Sequence, residues 1–488
     1  LSRNAILLAL SLWLALLLVT HRGPMSPYSY VPQAVRSQPV TRAGAEDALT
    51  IVPVTRFFYD GTPPDYATAH NLRLPLHSFA VSVLMAFVRR YDVANELANL
   101  LFLIVLCMAA LRLADRYGLQ RGAVFLGLAT LLALPPIVGY IGQPMHYIVG
   151  PVVNDLVILA AFASGEKRLR NPLFAGALTA ILCVNYDWYV FAAALALYVL
   201  LVVRLERVRA VIAYVGVALA PAIVWNRLLA LMSDSAVSDK IRTTFLADVA
   251  IEWLRFLSKP AARPMFPLAA TQIGAHIAFH EVIALIHWPL LLACAIVLWQ
   301  YRPATPAPRP VTLLLLLVAL FAVEQLLTGA TDWENNPRRA LPVFLAFACA
   351  WCWAIHATWH RRGWRIAFVT LFVLTSLVAF ADVLLRTPGA TPLYMSENTR
   401  GPAKDALRFQ NGRIVLAPEL EPEQRVFREP FPRAALSRVG WKWLAANAFA
   451  AAVLLLLFVL LARVELLPRG APYACAAVIV LSAIRFLL

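Results

Sequence analysis

The stretch Leu74-Pro-Leu-His-Ser-Phe-Ala-Val-Ser-Val-Leu-Met-Ala-Phe-Val-Arg-Arg90 decides how the chain is threaded, because counting it as a membrane span reverses everything on one side of it. Its apolar run is interrupted by Pro75, His77, Ser78 and Ser82 and ends on two arginines. A crossing helix needs about 17–25 largely apolar residues, so this composition suits a helix lying in the membrane interface. The segment then belongs to one long outside loop, 21–96. The competing threading adds a fourteenth span, puts the N-terminus outside and moves 21–73 to the cytoplasm.

Outward from this segment the chain is strongly apolar. Of 488 residues, 61% are hydrophobic and only 14% charged, against about 25% charged in an ordinary soluble domain; mean hydropathy is +0.70. So much apolar sequence needs lipid as its solvent, and a soluble fold is excluded. Runs such as 313–323 and 454–461 are too long and unalternated for a β-barrel. The 33 prolines and 20 glycines are scattered, which excludes collagen-like and low-complexity classes. The expected architecture is an all-α polytopic membrane protein of about 13 transmembrane helices, with interfacial helices in the first outside loop. The spans fall near 5–20, 97–113, 122–140, 151–165, 172–186, 188–203, 209–232, 281–299, 311–328, 341–358, 364–383, 441–463 and 471–488. No small-x-small cleavage pattern closely follows Thr20, so the first segment is read as an anchor. Residues 1–383 form the main bundle with outside loops 21–96 and 233–280, 384–440 form an outside loop or small cap, and 441–488 form a C-terminal helix pair. No internal repeat is visible, which weakens a secondary-transporter reading.

The formal charge is +16. Nucleic-acid binding would require a basic face on a soluble module, whereas these cations sit in short clusters between apolar segments. With the N-terminus inside, the clusters around Arg112–Arg121, Lys167–Arg170, Arg204–Arg209, Arg302–Arg309, Arg361–Arg365 and Arg463–Arg469 all fall in cytoplasmic turns. The short outside loops carry Arg338 and Arg339, against that rule. All six cysteines lie in apolar segments, so no disulfide framework holds the loops.

Polar groups at membrane depth are costly unless paired or wetted, and chemistry is sought there. Glu46 and Asp47 precede a short amphipathic stretch; one of them suits a general base, and equally an acidic helix N-terminus. The stretch Gly142-Gln-Pro-Met-His-Tyr-Ile-Val-Gly-Pro-Val-Val-Asn-Asp155 runs into a span. It puts Asp155 just below the outer surface, with Asn154 and His146 in reach of the same cavity. An intramembrane carboxylate is a functional candidate, with a partner-satisfied structural Asp as the alternative. Asn185 and Asp187 at the next outer turn line the same vestibule or simply cap it. Arg338 and Arg339, in Thr331-Asp-Trp-Glu-Asn-Asn-Pro-Arg-Arg-Ala-Leu-Pro342, offer planar bidentate donors suited to a phosphate. Their alternative is pairing with Asp332, Glu334 or anionic headgroups.

In order and spacing these residues resemble the bacterial polyprenyl-phosphate-sugar-dependent glycosyltransferases of the GT-C superfamily, particularly the branch related to protein O-mannosyltransferases and the lipid A aminoarabinose transferase. The resemblance is carried by Glu46-Asp47-Ala48, Arg56, Gly61 and Arg73-Leu74-Pro75-Leu76. It continues through the basic turn 111–121, Asn154-Asp155, Phe174-Ala-Gly-Ala-Leu and Arg338-Arg339-Ala340-Leu341-Pro342, and covers roughly residues 5–345. Glu-Asp stands where the family has Asp-Glu, so either carboxylate fits the base.

The resemblance implies a sugar donor on a polyprenyl phosphate, used at the extracytoplasmic face of the bacterial inner membrane. Asp47 or Glu46 would take the proton of an acceptor hydroxyl on a glycan, lipid or protein, giving inversion. Arg338, Arg339 and Arg73 would hold the departing lipid phosphate. Asp155 would orient the acceptor, assist the base or bind a divalent cation such as Mg2+ or Mn2+, while His146, Asn154 and Asp187 line the vestibule. No nucleic acid is expected as a partner beside membrane lipids. A transporter or flippase of lipid-linked substrates, and an O-antigen polymerase or ligase, are the alternatives.

Overall fold

A computed structural model of the chain describes residues 2–21, 47–62, 75–134, 137–138, 141, 148–185, 189–232, 312–317, 319–320, 348–385, 407–410, 413–416 and 440–483. The helices are α1 (Arg3–His21), α2 (Asp47–Asp60), α3 (Pro75–Val88), α4 (Tyr91–Arg116), α5 (Arg121–Leu132), α6 (Val149–Leu169) and α7 (Pro172–Asn185). They continue with α8 (Tyr189–Leu197), extended by a π-helical turn Tyr198–Val203, then α9 (Val208–Met232), α10 (Ala348–Thr358), α11 (Arg362–Leu385), α12 (Trp441–Arg463) and α13 (Ala471–Ser482). Five of them are long and apolar enough to cross a membrane: Arg3–Thr20, Tyr91–Arg116, Val149–Leu169, Val208–Leu228 and Trp441–Arg463. The protein is accordingly a helical, membrane-embedded one. The expected span 281–299 lies outside the described residues.

The sequence explains which faces are covered. On α1, Ile6, Leu10, Leu14 and Leu17 are buried at helical spacing, while Leu8, Leu12, Leu16 and Val19 on the other side are exposed. A helix apolar all round with one aliphatic face left open is suited to hydrocarbon. The same holds for Ile212, Val215, Leu219 and Ile223 on α9, and for Ile366, Val369, Val373 and Leu377 on α11.

Helices α7 and α9 pack intimately because Gly176 removes a side chain from their contact. A Cβ at Gly176 would stand 2.8 Å from Val217 Cβ and 3.0 Å from the Tyr214 carbonyl oxygen. Gly176→Ala should therefore cost about 1–3 kcal/mol, the usual range for overpacking, and lower the unfolding temperature in detergent. Gly216→Ala, with nothing within 4 Å of its Cβ, is the control and should leave that temperature unchanged or raise it.

Three features differ from the sequence expectation. Helix α3, expected to keep a polar face at an interface, is enclosed: every residue from Pro75 to Val83 is buried, and α2, α4, α6, α7, α12 and α13 all pack on it. Its 14 residues extend about 21 Å, short of a hydrocarbon core of about 30 Å. Second, α4 begins at Tyr91, taking the last residues assigned to the outside loop 21–96 into a helix. Third, the chain is not purely helical: Leu407–Gln410 (β1) and Arg413–Leu416 (β2) pair antiparallel within the segment read as loop or cap.

Candidate functional site

The bundle has two chemically different ends. At one, hydrogen bonds tie the basic turns together. Arg112 donates to the Glu465 carbonyl at 3.3 Å, Arg168 to the Arg463 carbonyl at 2.9 Å, and Arg116 to the Ala163 carbonyl. The Gln120 amide donates to His356 Nδ1 at 3.0 Å, and Arg121 pairs with Asp115 at 3.0 Å. These contacts bring the α4–α5, α6–α7, α10–α11 and α12–α13 turns to the same end.

At the opposite ends of α4, α6 and α7 the buried polar groups gather: Asp92, Asn95, Glu96 and Asn99 on α4, Asn154 and Asp155 on α6, and Asn185 closing α7. Helices α2 and α3 add Thr55, Asp60, His77, Ser78 and Ser82, all buried. From Asn95 to Arg116 is about 31 Å along α4 at 1.5 Å per residue, so the two ends lie about one hydrocarbon thickness apart.

Most of these groups are satisfied locally. Asp60 accepts from Arg56 Nε at 3.3 Å and from the Thr62 amide at 2.9 Å. Asp92 accepts from Arg90 Nε at 3.1 Å and again from its Nη2. Hydrogen bonding to Asp92, with the nearby Asp92 and Glu96 charges, raises the Arg90 guanidinium further above its ordinary range. His77 Nε2 and Asn95 Oδ1 lie 2.8 Å apart. Burial pulls His77 down to about 4, against the opposing effect of the Asn95 bond, so the imidazole is neutral near pH 7.

That shift has a sign for stability. Because the folded state resists protonation of His77 while the unfolded chain titrates near 6.5, the stabilising contribution is complete above about 6.5 and is lost as pH falls toward about 4. Thermal unfolding across that interval should show the loss, and His77→Gln should flatten it.

The amides of α6 and α7 form a second network. Asn185 Nδ2 donates to the Gly150 carbonyl and to Asn154 Oδ1, each at 2.8 Å, and Asn99 Nδ2 donates to the Ile141 carbonyl at 3.0 Å. Asp155, the next residue after Asn154 on α6, is only 3% exposed. Among the described residues neither of its carboxylate oxygens has a hydrogen-bond partner, and Asn154 Nδ2, Asn185 Oδ1 and Asn99 Oδ1 also lack one. Buried polar atoms are normally paired, so such a concentration at one end is where a hydroxyl-rich ligand or ordered water would find donors and acceptors waiting.

Of the residues singled out from sequence, Asn154 is hydrogen-bonded to Asn185, and Asp155, which follows it on α6, is buried at the same end of the bundle. Asp47 is the first residue of α2, whose far end is bound to α12 through the Trp443 indole N–H on the Phe58 carbonyl at 3.0 Å. Glu46, Arg73, His146, Asp187, Arg338 and Arg339 lie outside the described residues. The α4 stripe was missed from sequence. Asp92, Asn95, Glu96 and Asn99 fall at i, i+3, i+4 and i+7, the spacing of one helix face, which was the available signal. Among the described residues no group of three or more His, Cys, Asp or Glu is placed to hold a metal ion. Comparison with family models, curated proteins and solved structures finds no match to this chain.

Proposed function

We propose that this chain is a membrane glycosyltransferase that moves a sugar from a polyprenyl-phosphate donor to a hydroxyl acceptor. The observation that carries the reading is the buried polar end of the bundle, where Asp155 and three asparagine amides hold hydrogen-bonding atoms with no partner among the described residues. A polyhydroxylated sugar or acceptor matches that mixture of donors and acceptors. The basic turns at the other end support the threading: about thirteen spans, those turns in the cytoplasm, and the polar end facing the periplasm or cell exterior across the bacterial inner membrane.

In this mechanism Asp47, or Glu46 beside it, removes the proton of the acceptor hydroxyl as that oxygen attacks the anomeric carbon. The bond from the anomeric carbon to the phosphate oxygen breaks in the same displacement, inverting the centre. Arg338, Arg339 and Arg73 stabilise the charge that grows on the departing polyprenyl phosphate. Asp155 orients the acceptor, with Asn154, His146 and Asp187 lining the vestibule. A divalent cation is not needed for the proton and electron balance of this step.

A transporter reading draws on the same buried carboxylate, since carriers use such groups for coupling ions. One experiment separates them. Purified protein in detergent, where no gradient exists, should release polyprenyl phosphate from a polyprenyl-phosphate sugar when an acceptor is present. Absence of turnover there, with gradient-dependent movement of the lipid-linked sugar in proteoliposomes, would favour the carrier.

A further inference from the structure

We propose that the turn between α6 and α7, together with the end of α12, binds the phosphate of an anionic phospholipid headgroup. The site lies at the basic end, remote from the polar cluster, and stands independently of the glycosyltransferase reading.

A cavity of about 390 Å³ opens there, lined by Lys167, Arg168, Asn171, Phe174 and Arg463. That volume falls in the range of about 300–1,000 Å³ usual for small-ligand sites. Three of its five described lining residues are cations, and none is a carboxylate. The arrangement is built rather than accidental. Gly165 breaks α6 at φ +63° and ψ 169°, a backbone region essentially confined to glycine, so Lys167 and Arg168 sit on a separate turn instead of continuing the helix. Arg168 then donates to the Arg463 carbonyl at 2.9 Å, fastening that turn to the end of α12 and leaving the Arg463 side chain to converge on the cavity.

Other arginines at this end are spent differently: Arg121 pairs with Asp115, and Arg116 bonds the Ala163 carbonyl. By contrast, no ion pair engages Lys167, Arg168 or Arg463 among the described residues. Asn171 Oδ1 caps α7 by accepting from the Leu173 and Phe174 amides, so the positive end of that helix also faces the cavity region. Mutually repelling cations around a hollow are stabilised by an anion with several oxygens, which a phosphodiester provides. Phe174 on the wall and exposed Leu173 beside it supply an apolar margin for the glycerol and first methylenes, which favours a lipid over free phosphate.

The test uses full-length delipidated protein in a nonionic detergent, with thermal unfolding followed during titration. The probes are dioctanoyl phosphatidylglycerol, dioctanoyl phosphatidylcholine and sodium phosphate. Phosphatidylglycerol should raise the unfolding temperature by several degrees in a saturable way, and the other two should not. The double variant Lys167→Ala/Arg463→Ala removes two exposed cations and keeps the Arg168 bond to a backbone carbonyl; it should weaken phosphatidylglycerol at least tenfold. Arg362→Ala/Arg365→Ala, matched in charge but outside the cavity, should bind like the parent. Equal weakening by both variants would mean diffuse attraction and overturn the site. Sodium phosphate as effective as phosphatidylglycerol would overturn the lipid assignment. Native mass spectrometry of the parent protein gives a check that needs no variant: preferential retention of phosphatidylglycerol supports the site, and equal retention of phosphatidylcholine rejects it.

Discussion

Asp47→Asn should lower sugar transfer by about 10²–10⁴-fold, the usual contribution of a positioned general base, while the protein still inserts and purifies normally. The contrast between activity and stability makes this result informative. Asp47 opens α2, where an acidic residue also has an ordinary structural role. At the first helical position the structural loss in Asp47→Asn is chiefly that of the charge near the helix dipole, about 0.3–1 kcal/mol. A structural residue would thus leave turnover nearly intact. Release of polyprenyl phosphate is the measurement, with Glu46→Gln run beside it. If Glu46→Gln carries the loss and Asp47→Asn does not, the base is Glu46; a fully active, normally expressed Asp47→Asn protein removes Asp47 from the mechanism.

Asp155→Asn is the second large effect, and here activity and stability should move in opposite senses or not together. A buried polar group without partners costs about 1–3 kcal/mol in unmade hydrogen bonds. Asp155 has no described partner to lose, so removing its capacity for charge should leave the unfolding temperature unchanged or higher. Turnover should fall by two orders of magnitude or more if the carboxylate positions the acceptor hydroxyl. Asp60→Asn provides the opposite signature: it weakens the contact with Arg56 and should lower stability. A loss of stability in Asp155→Asn matching that in Asp60→Asn would assign Asp155 a structural role.

The sequence exposed these features unevenly, for physical reasons. Aliphatic runs such as those of α1 and α12 are unambiguous because no water-soluble alternative can absorb them. The cationic turns were legible because arginine clusters between apolar segments have one simple explanation, and the bonds from Arg112 and Arg168 to the α12–α13 turn bring several of them together. Asp155 was legible as a carboxylate inside an apolar stretch. The α4 stripe was not: hydropathy rises only at 97 and places the start of the span there, which separates Asp92, Asn95 and Glu96 from Asn99 although helical spacing joins all four. A hydropathy window averages such a stripe with its apolar neighbours and so registers only a weaker span. Enclosure of α3 was hidden for a related reason. Ser78, Ser82 and His77 read as an interface, yet each can be buried: Ser82 donates to the Phe79 carbonyl at 2.7 Å, and His77 is held by Asn95. The break at Gly165 is a single-residue backbone event with no periodic signature, so the re-aimed Lys167 and Arg168 emerge only from the dihedral angles.

The most direct test of the two-ended design is an experimental structure of the full chain with a polyprenyl-phosphate sugar bound. The expected result has the sugar within about 2.6–3.2 Å of polar atoms from the Asn154, Asp155 and Asn185 cluster or of Asp47, and the phosphate beside Arg338 and Arg339. A donor headgroup held instead among the basic turns, or Asp47 and Asp155 both remote from the sugar, would contradict it.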